Sequence, residues 1–352
     1  MNNTNNDNND NNTFNESDFL NKHINNRINT YNSLSRHDQK KYFNNFITAN
    51  KHIIRKYLSY TEYNKLVSND DSIFNIYKKE EVIIPSNSIE ESKYGFNIIE
   101  SNTNSNNNNI LNNSNKIKNK TNSNNNKLTN NILNNNNIVV PKHFNLISDI
   151  ILNKPFDQNG LFRVNSTKQR LRTANSLLQD IVEHKVSEEK GKELFDRNFD
   201  LIDSCEVYKT LLRSFNCCII PNGYINIIIK INSIHDNIIN NNNNNDNNNN
   251  NDNITDDKLI LTKAMYYSLP FNNRNILESN VMLCYKICLK TSQMENKEKQ
   301  MDLDGISIVM MPNLFLKKDK DIEIEKVLEL VSFCKYFYKA FPEVCGIEEK
   351  YL

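Results

Sequence analysis

From Phe19 onward, apolar side chains recur three and four positions apart, the period that lays them along one face of an α-helix. Phe19, Leu20, Ile24, Ile28 and Tyr31 form one such set; Tyr42, Phe43, Phe46, Ile47, Ile53, Ile54, Tyr57 and Leu58 form another. They predict two amphipathic helices, with a third over residues 60–67. After Val140 the pattern resumes, with faces made by Phe144, Ile147, Ile151 and Leu152, by Leu171, Ala174, Leu178 and Ile181, by Val207, Leu211 and Phe215, and by Met282, Tyr285 and Leu289. A closing helix runs through Ile324, Val327, Leu328, Val331, Cys334 and Phe337, with Pro342 just beyond its expected end. Residues 224–231 are a short strand-like run, but no turn signals alternate with it, and the chain reads as all-α.

Asparagine interrupts the pattern. It supplies 20 of the 37 residues from Ser101 to Asn137 and 11 of the 12 from Asn240 to Asn251. Such tracts cannot bury enough apolar area to offset the entropy of ordering. The first is either a linker between domains or an insertion within one, since surface loops lengthen at little closure cost. The second, over 240–253, has helical segments on both sides and reads as an insertion. Residues 1–13 are a polar leader, and residues 14–91 an N-terminal helical extension that packs on the main domain or on a partner.

Composition removes several function classes from the 352-residue chain. Its six glycines are scattered, with no two within ten positions, so neither a P-loop nor a dinucleotide fingerprint is present. Forty-three Lys and Arg balance 42 Asp and Glu, so no net field draws nucleic acid or anionic lipid, and only local patches could. Seven cysteines without a C-x-x-C pair read as reduced, mostly buried thiols. Six scattered histidines make no zinc motif, so no metal site is expected. Without a charged leader or an apolar run of 18 residues, the expectation is a cytoplasmic protein with no transmembrane segment.

Three stretches carry candidate chemistry. In Gly160, Leu161, Phe162, Arg163, Val164, Asn165 and Ser166, the apolar pair reads as a core anchor and Arg163 has no evident local partner. Ser166 and Gln169 have capping-box spacing, which predicts a helix start just after the arginine. Lys209 and Arg213 sit four apart on one helix, opposite Val207, Leu211 and Phe215, where their removal would cost little stability. By itself such a pair is either a solvated face or a functional one. Ile306 to Phe315 is an apolar helix stopped by Pro312 and Asn313.

In this order the three stretches resemble the Rho-family GTPase-activating protein (RhoGAP) domain. Gly160, Leu161, Phe162, Arg163 and Val164 match its G-[IL]-[FY]-R-[VL] block, Lys209 and Arg213 its K-x-x-x-R, and Pro312, Asn313 and Leu314 its P-N-L. Upstream, Tyr94, Gly95, Phe96, Ile98, Ile99 and Glu100 are similar to the family's F-G-V-x-L opening, and Val140 with Pro141 to its V-P helix start. The resemblance covers about residues 92–341, places the insertions 101–137 and 240–253 inside one domain, and leaves 342–352 as a tail.

The resemblance implies a helical fold and a Rho- or Rac-family small GTPase, bound to GTP, as partner. It gives Arg163 the role of arginine finger in trans, and Lys209, Arg213 and Asn313 roles in binding the GTPase. Gly160, Phe162 and Pro312 hold the motifs, and GTP and magnesium belong to the partner, so the chain needs no cofactor of its own. The chain departs from the family at Ser166, where Gly is usual, and at Asn216 and Cys218, where the L-P-x-P-L loop has prolines. It departs again at Lys299 and Gly305, where family asparagines help contact the GTPase; Met301 is retained. A Rho-binding module of weak catalysis, or a helical scaffold that binds through its N-terminal helices, is the alternative.

Overall fold

The computed structural model describes residues 15–25, 30–67, 140–215, 218–241, 251–296, 300–316 and 323–352. The polar leader, the 94–100 block, the first Asn tract and residues 28, 216, 217 and 299 lie outside them. The described residues are helical without a strand; an isolated bridge joins Thr30 to Gly346.

The N-terminal periodicity becomes α1 (Glu16–Asn25), α2 (Arg36–Ala49), α3 (Lys51–Tyr57) and α4 (Tyr60–Val67). Tyr31, assigned by period to the first helix, sits instead in a separate 3-10 turn, Tyr31–Ser33. Then follow α5 (Lys142–Asn153), α6 (Lys168–Val182), α7 (Glu188–Asn198), α8 (Leu201–Ser214) and α9 (Ile225–Asn241). The strand-like run thus lies in a 3-10 turn and α9. The last helices are α10 (Asn251–Ser268), α11 (Phe271–Ser292), α12 (Leu303–Phe315) and α13 (Ile324–Cys345). The ends of the second Asn tract are therefore helical, in α9 and α10.

Side-chain caps fix several helix starts. Ser35, Thr167, Ser187 and Asp302 each accept a backbone N–H of the first turn, and Asp200 with Asp203 makes a reciprocal capping box. Thr167 is the cap of α6, one residue after the expected Ser166. Ser166 instead donates to Asp203 Oδ1 at 2.5 Å.

Both prolines expected to stop helices lie inside them. In α13 the donor that Pro342 lacks would have served the Tyr338 carbonyl, and the Tyr285 hydroxyl donates there instead. In α12 the corresponding carbonyl belongs to Ile308, which is 40% exposed, so water can take the place of the missing N–H.

One apolar core runs from Leu20 to Tyr351. α11 lies at its centre, packed on α1, α5 and α12, while α10 supports α2, α3, α9 and α13. α11 is buried on nearly every side although it is rich in polar residues, because those residues bond to neighbours. Asn280 donates from Nδ2 to the Tyr208 hydroxyl at 3.2 Å and accepts at Oδ1 from the Tyr338 hydroxyl at 2.5 Å; Asn273 donates to the Ile219 carbonyl at 2.9 Å. The six described cysteines are buried, and burial pushes the Cys284 thiol up to about 12.

The N-terminal helices share this core. Arg274 is buried, with Nε donating to Asn32 at 3.1 Å, Nη2 to Gln39 at 2.5 Å and Nη1 to the Tyr267 carbonyl at 3.0 Å. Asn32 passes the contact on to Glu278 at 2.6 Å. At the other end, Tyr351 packs edge-on against Tyr42 and Phe46, so the residues after α13 return to α2.

Candidate functional site

Between α5 and α6 the chain makes a tight turn in which the N–H groups of Arg163 and Val164 both reach the Gly160 carbonyl, at 2.9 and 3.0 Å. The turn needs φ of +78° at Gly160, where a Cβ would also come within 2.8 Å of Val164 Cγ2. Phe162 holds φ of +60°, a conformation that costs a non-glycine residue energy unless its surroundings impose it. Here they do. The Phe162 ring is buried against Tyr208, its N–H meets the Cys205 sulfur, and its carbonyl accepts from Lys209 Nζ at 2.7 Å. With Leu161 and Phe162 anchored, Arg163 and Val164 are left exposed at the tip.

Lys209 and Arg213 do not form a solvated face. Lys209 is 5% exposed, bonded to Phe162 and to Asn165 Oδ1 at 3.2 Å, with Glu206 Oε2 at 2.6 Å. Arg213 Nη2 donates to Glu206 Oε1 at 2.7 Å, and its side chain is only 27% exposed. α8 is packed on both sides, against the core on one and under the turn on the other. Truncating Lys209 therefore does carry a stability cost, contrary to the reading from its helical face. Glu206 escaped that reading too. Its signal is spacing: residues 206, 209 and 213 stand at i, i+3 and i+7, one stripe of a helix.

A second clamp closes the turn. Arg170 Nε donates to Asp203 Oδ2 at 3.0 Å, its Nη2 also reaches that carboxylate, and Ser166 donates to its other oxygen. Burial would raise the Asp203 carboxyl, but these donors outweigh burial and hold it below the ordinary range. The start of α6 is thereby fastened to the start of α8.

The first turn of α12 lies beside Arg163. A Cβ added at Gly305 would stand 3.3 Å from Arg163 Nη2 and 2.8 Å from Asp302 Oδ1. The guanidinium thus occupies space that a side chain at 305 would enter. Asn313, by contrast, is 6% exposed and donates to the Val309 carbonyl of its own helix at 3.0 Å. In place of a proline-stiffened loop after α8, Ile220 N–H donates to the Leu314 carbonyl at 3.0 Å and Cys218 Sγ to that of Phe315 at 3.1 Å. Among the described residues, no helix is long and apolar enough to cross a membrane and no acid, His or Cys cluster could hold a metal.

The family model for the RhoGAP domain matches residues 141–319, just over half of the chain. The chain belongs to the RhoGAP family. The match begins at Pro141 and takes in the Arg163 turn, Lys209, Arg213 and Asn313, so the all-α RhoGAP-like reading holds. At the level of the family it carries Rho-directed GTPase activation, with a Rho-family GTPase as partner. Among solved structures, the chain is similar to human Rho GTPase-activating protein 15, with 14% identity and a TM-score of 0.44 over 58% of this chain and 84% of that one. It is also similar to the BH domain of GRAF, the GTPase regulator associated with focal adhesion kinase, with 14% identity and a TM-score of 0.40 over 58% and 94%. No curated protein matches. The RhoGAP assignment rests on the family model.

Proposed function

We propose that this RhoGAP chain stimulates GTP hydrolysis on a GTP-loaded Rho- or Rac-type GTPase, with Arg163 as the arginine finger. The observation that carries the reading is an exposed arginine on a turn whose strained backbone is fixed from beneath by a buried lysine. Phosphoryl transfer spreads negative charge over the γ-phosphoryl oxygens and the leaving oxygen, and a planar guanidinium presented in fixed orientation stabilises it without reorganisation. Lys209 orients the Arg163 turn, and Glu206 holds Lys209 and Arg213 together beneath it. In this reading the half-buried Arg213 meets the GTPase at the rim of the turn, and Asn313 acts through α12. GTP and magnesium come with the partner. Buried cysteines without a C-x-x-C pair suit a reducing cytoplasm.

Gly305 favours a second reading, in which the chain binds the GTPase but catalyses weakly, since an amide side chain is missing beside the finger. Single-turnover hydrolysis on a panel of GTP-loaded Rho and Rac proteins separates the two. Acceleration on the order of 10³ to 10⁵ supports the activator. Binding without acceleration supports the module.

A further inference from the structure

Outside the family match, the chain from Arg36 to Lys56 carries Arg36, Lys40, Lys41, Lys51, Arg55 and Lys56 against one acid, Asp38, although the whole chain is almost neutral. These six cations are all exposed, on α2 and α3. Both helices rest their apolar sides on α10, so their opposite, charged sides look outward together.

The acids on the supporting elements do not neutralise this face. Asp257 of α10 pairs with Lys56 at 3.1 Å, Glu62 of α4 with Lys230 at 2.5 Å, and Glu348 with Lys263 and Lys350 at 2.6 and 2.8 Å. Asp38 accepts from Ser35 at 2.6 Å at the helix start, and Glu349 is the other acid on the turn packed against α2. Arg36, Lys40, Lys41, Lys51 and Arg55 have no acidic partner among the described residues. The two arginines already stack on rings of this chain, Arg36 on Phe271 at 4.5 Å and Arg55 on Tyr63 at 4.9 Å.

We propose that the outward side of α2 and α3 is a docking surface for an anionic lipid bilayer. Charge complementarity carries the proposal, since four or more Lys and Arg on an amphipathic helical face suit a surface of smeared negative charge. Nucleic acid fits less well. Its recognition draws on guanidinium planes that fork or stack onto bases, and one face of each plane here is already stacked on a ring of this chain. The remaining groups are lysine ammoniums, point charges that read no sequence. The face lies on helices outside the residues that match the RhoGAP domain, so its occupation leaves the Arg163 turn free.

The test is co-sedimentation of the full chain with phosphatidylcholine vesicles, with and without phosphatidylserine. The full chain is expected on the serine-containing vesicles alone, and is expected to leave them as salt rises well above about 0.1 M, where screening acts within ~10 Å. Replacing Lys40, Lys41 and Lys51 together by Ala is expected to weaken partitioning by roughly a hundredfold, about fivefold per cation. Thermal unfolding and hydrolysis on a soluble GTPase should not change, which separates this proposal from the catalytic one. Equal vesicle binding by wild type and variant overturns the proposal, as does binding no better than to phosphatidylcholine alone. Tighter, Lys-dependent binding to duplex DNA or to RNA than to vesicles overturns it as well, and assigns the face to nucleic acid.

Discussion

Two buried cations, Lys209 and Arg274, hold this molecule together in different ways. Arg274 is sealed. Its donors end on Asn32, Gln39 and two backbone carbonyls, and Asn32 links it to the buried carboxylate of Glu278. Lys209 is equally buried, but one of its bonds ends on the Phe162 carbonyl, one residue before an exposed arginine. The first cation joins the N-terminal segment to the core. The second converts burial into the position of a side chain that faces solvent. A buried charge needs partners in either case, and where the last partner sits decides whether the cluster only seals the fold or also aims a group.

Removing either cation is expected to have the largest effect. Arg274→Ala leaves Asn32 and Gln39 without their common donor and the buried Glu278 carboxylate without its nearby cation, and is expected to cost about 3–5 kcal/mol in urea unfolding. A RhoGAP fragment begun at residue 140 loses Asn32 and Gln39 and should be destabilised in the same assay. Lys209→Met keeps the stem and leaves Glu206 paired with Arg213, so the stability cost is expected to be smaller, about 1–3 kcal/mol. Its effect on stimulated hydrolysis is expected to be larger than its effect on the fold, on the order of a hundredfold, as the turn loses the bond that aims Arg163. Similar losses of rate and stability in both variants would erase the distinction.

Smaller effects are expected from pH. His143, on α5 against Gln179 at 3.1 Å, is held below the ordinary histidine pKa chiefly by burial. The unfolded chain therefore takes up this proton first as pH falls, and stability should decline below about pH 6.5 until the folded imidazole also titrates. Asp203 acts lower on the scale. Its depressed carboxyl contributes stability that is present at neutral pH and is lost as pH falls through its folded pKa. His143→Gln should flatten the first decline and leave the second, as read by thermal unfolding across pH.

Much of the fold was legible because helical period and burial coincide. The third N-terminal helix, expected over 60–67, is α4 with those bounds. The helix stops failed where tertiary contacts supplied what proline removes, as the Tyr285 hydroxyl does at Tyr338. At the site, Gly160, Phe162 and Arg163 could be read from residue type alone, since a glycine, two apolar anchors and a cation define a presented turn. Lys209 was found but turned the wrong way. A period argument assigns one apolar face per helix, whereas α8 is buried on two, and its second face is polar. Glu206 is legible in its spacing from Lys209 and Arg213, but the space above Gly305 depends on which segments meet, and no local pattern encodes that.

On the proposed mechanism, Arg163 stabilises the transition state from a turn fixed by Lys209. The most direct measurement is phosphate release from a bound, GTP-loaded Rho-family GTPase, with wild type, Arg163→Ala and Arg163→Lys side by side. If Arg163 acts in the transition state, Arg163→Ala should lose acceleration by on the order of 10³ or more while binding to the GTPase persists, and Arg163→Lys should recover little, because a point charge cannot bridge two acceptors. Equal rates for wild type and Arg163→Ala on a partner that both bind would contradict the claim.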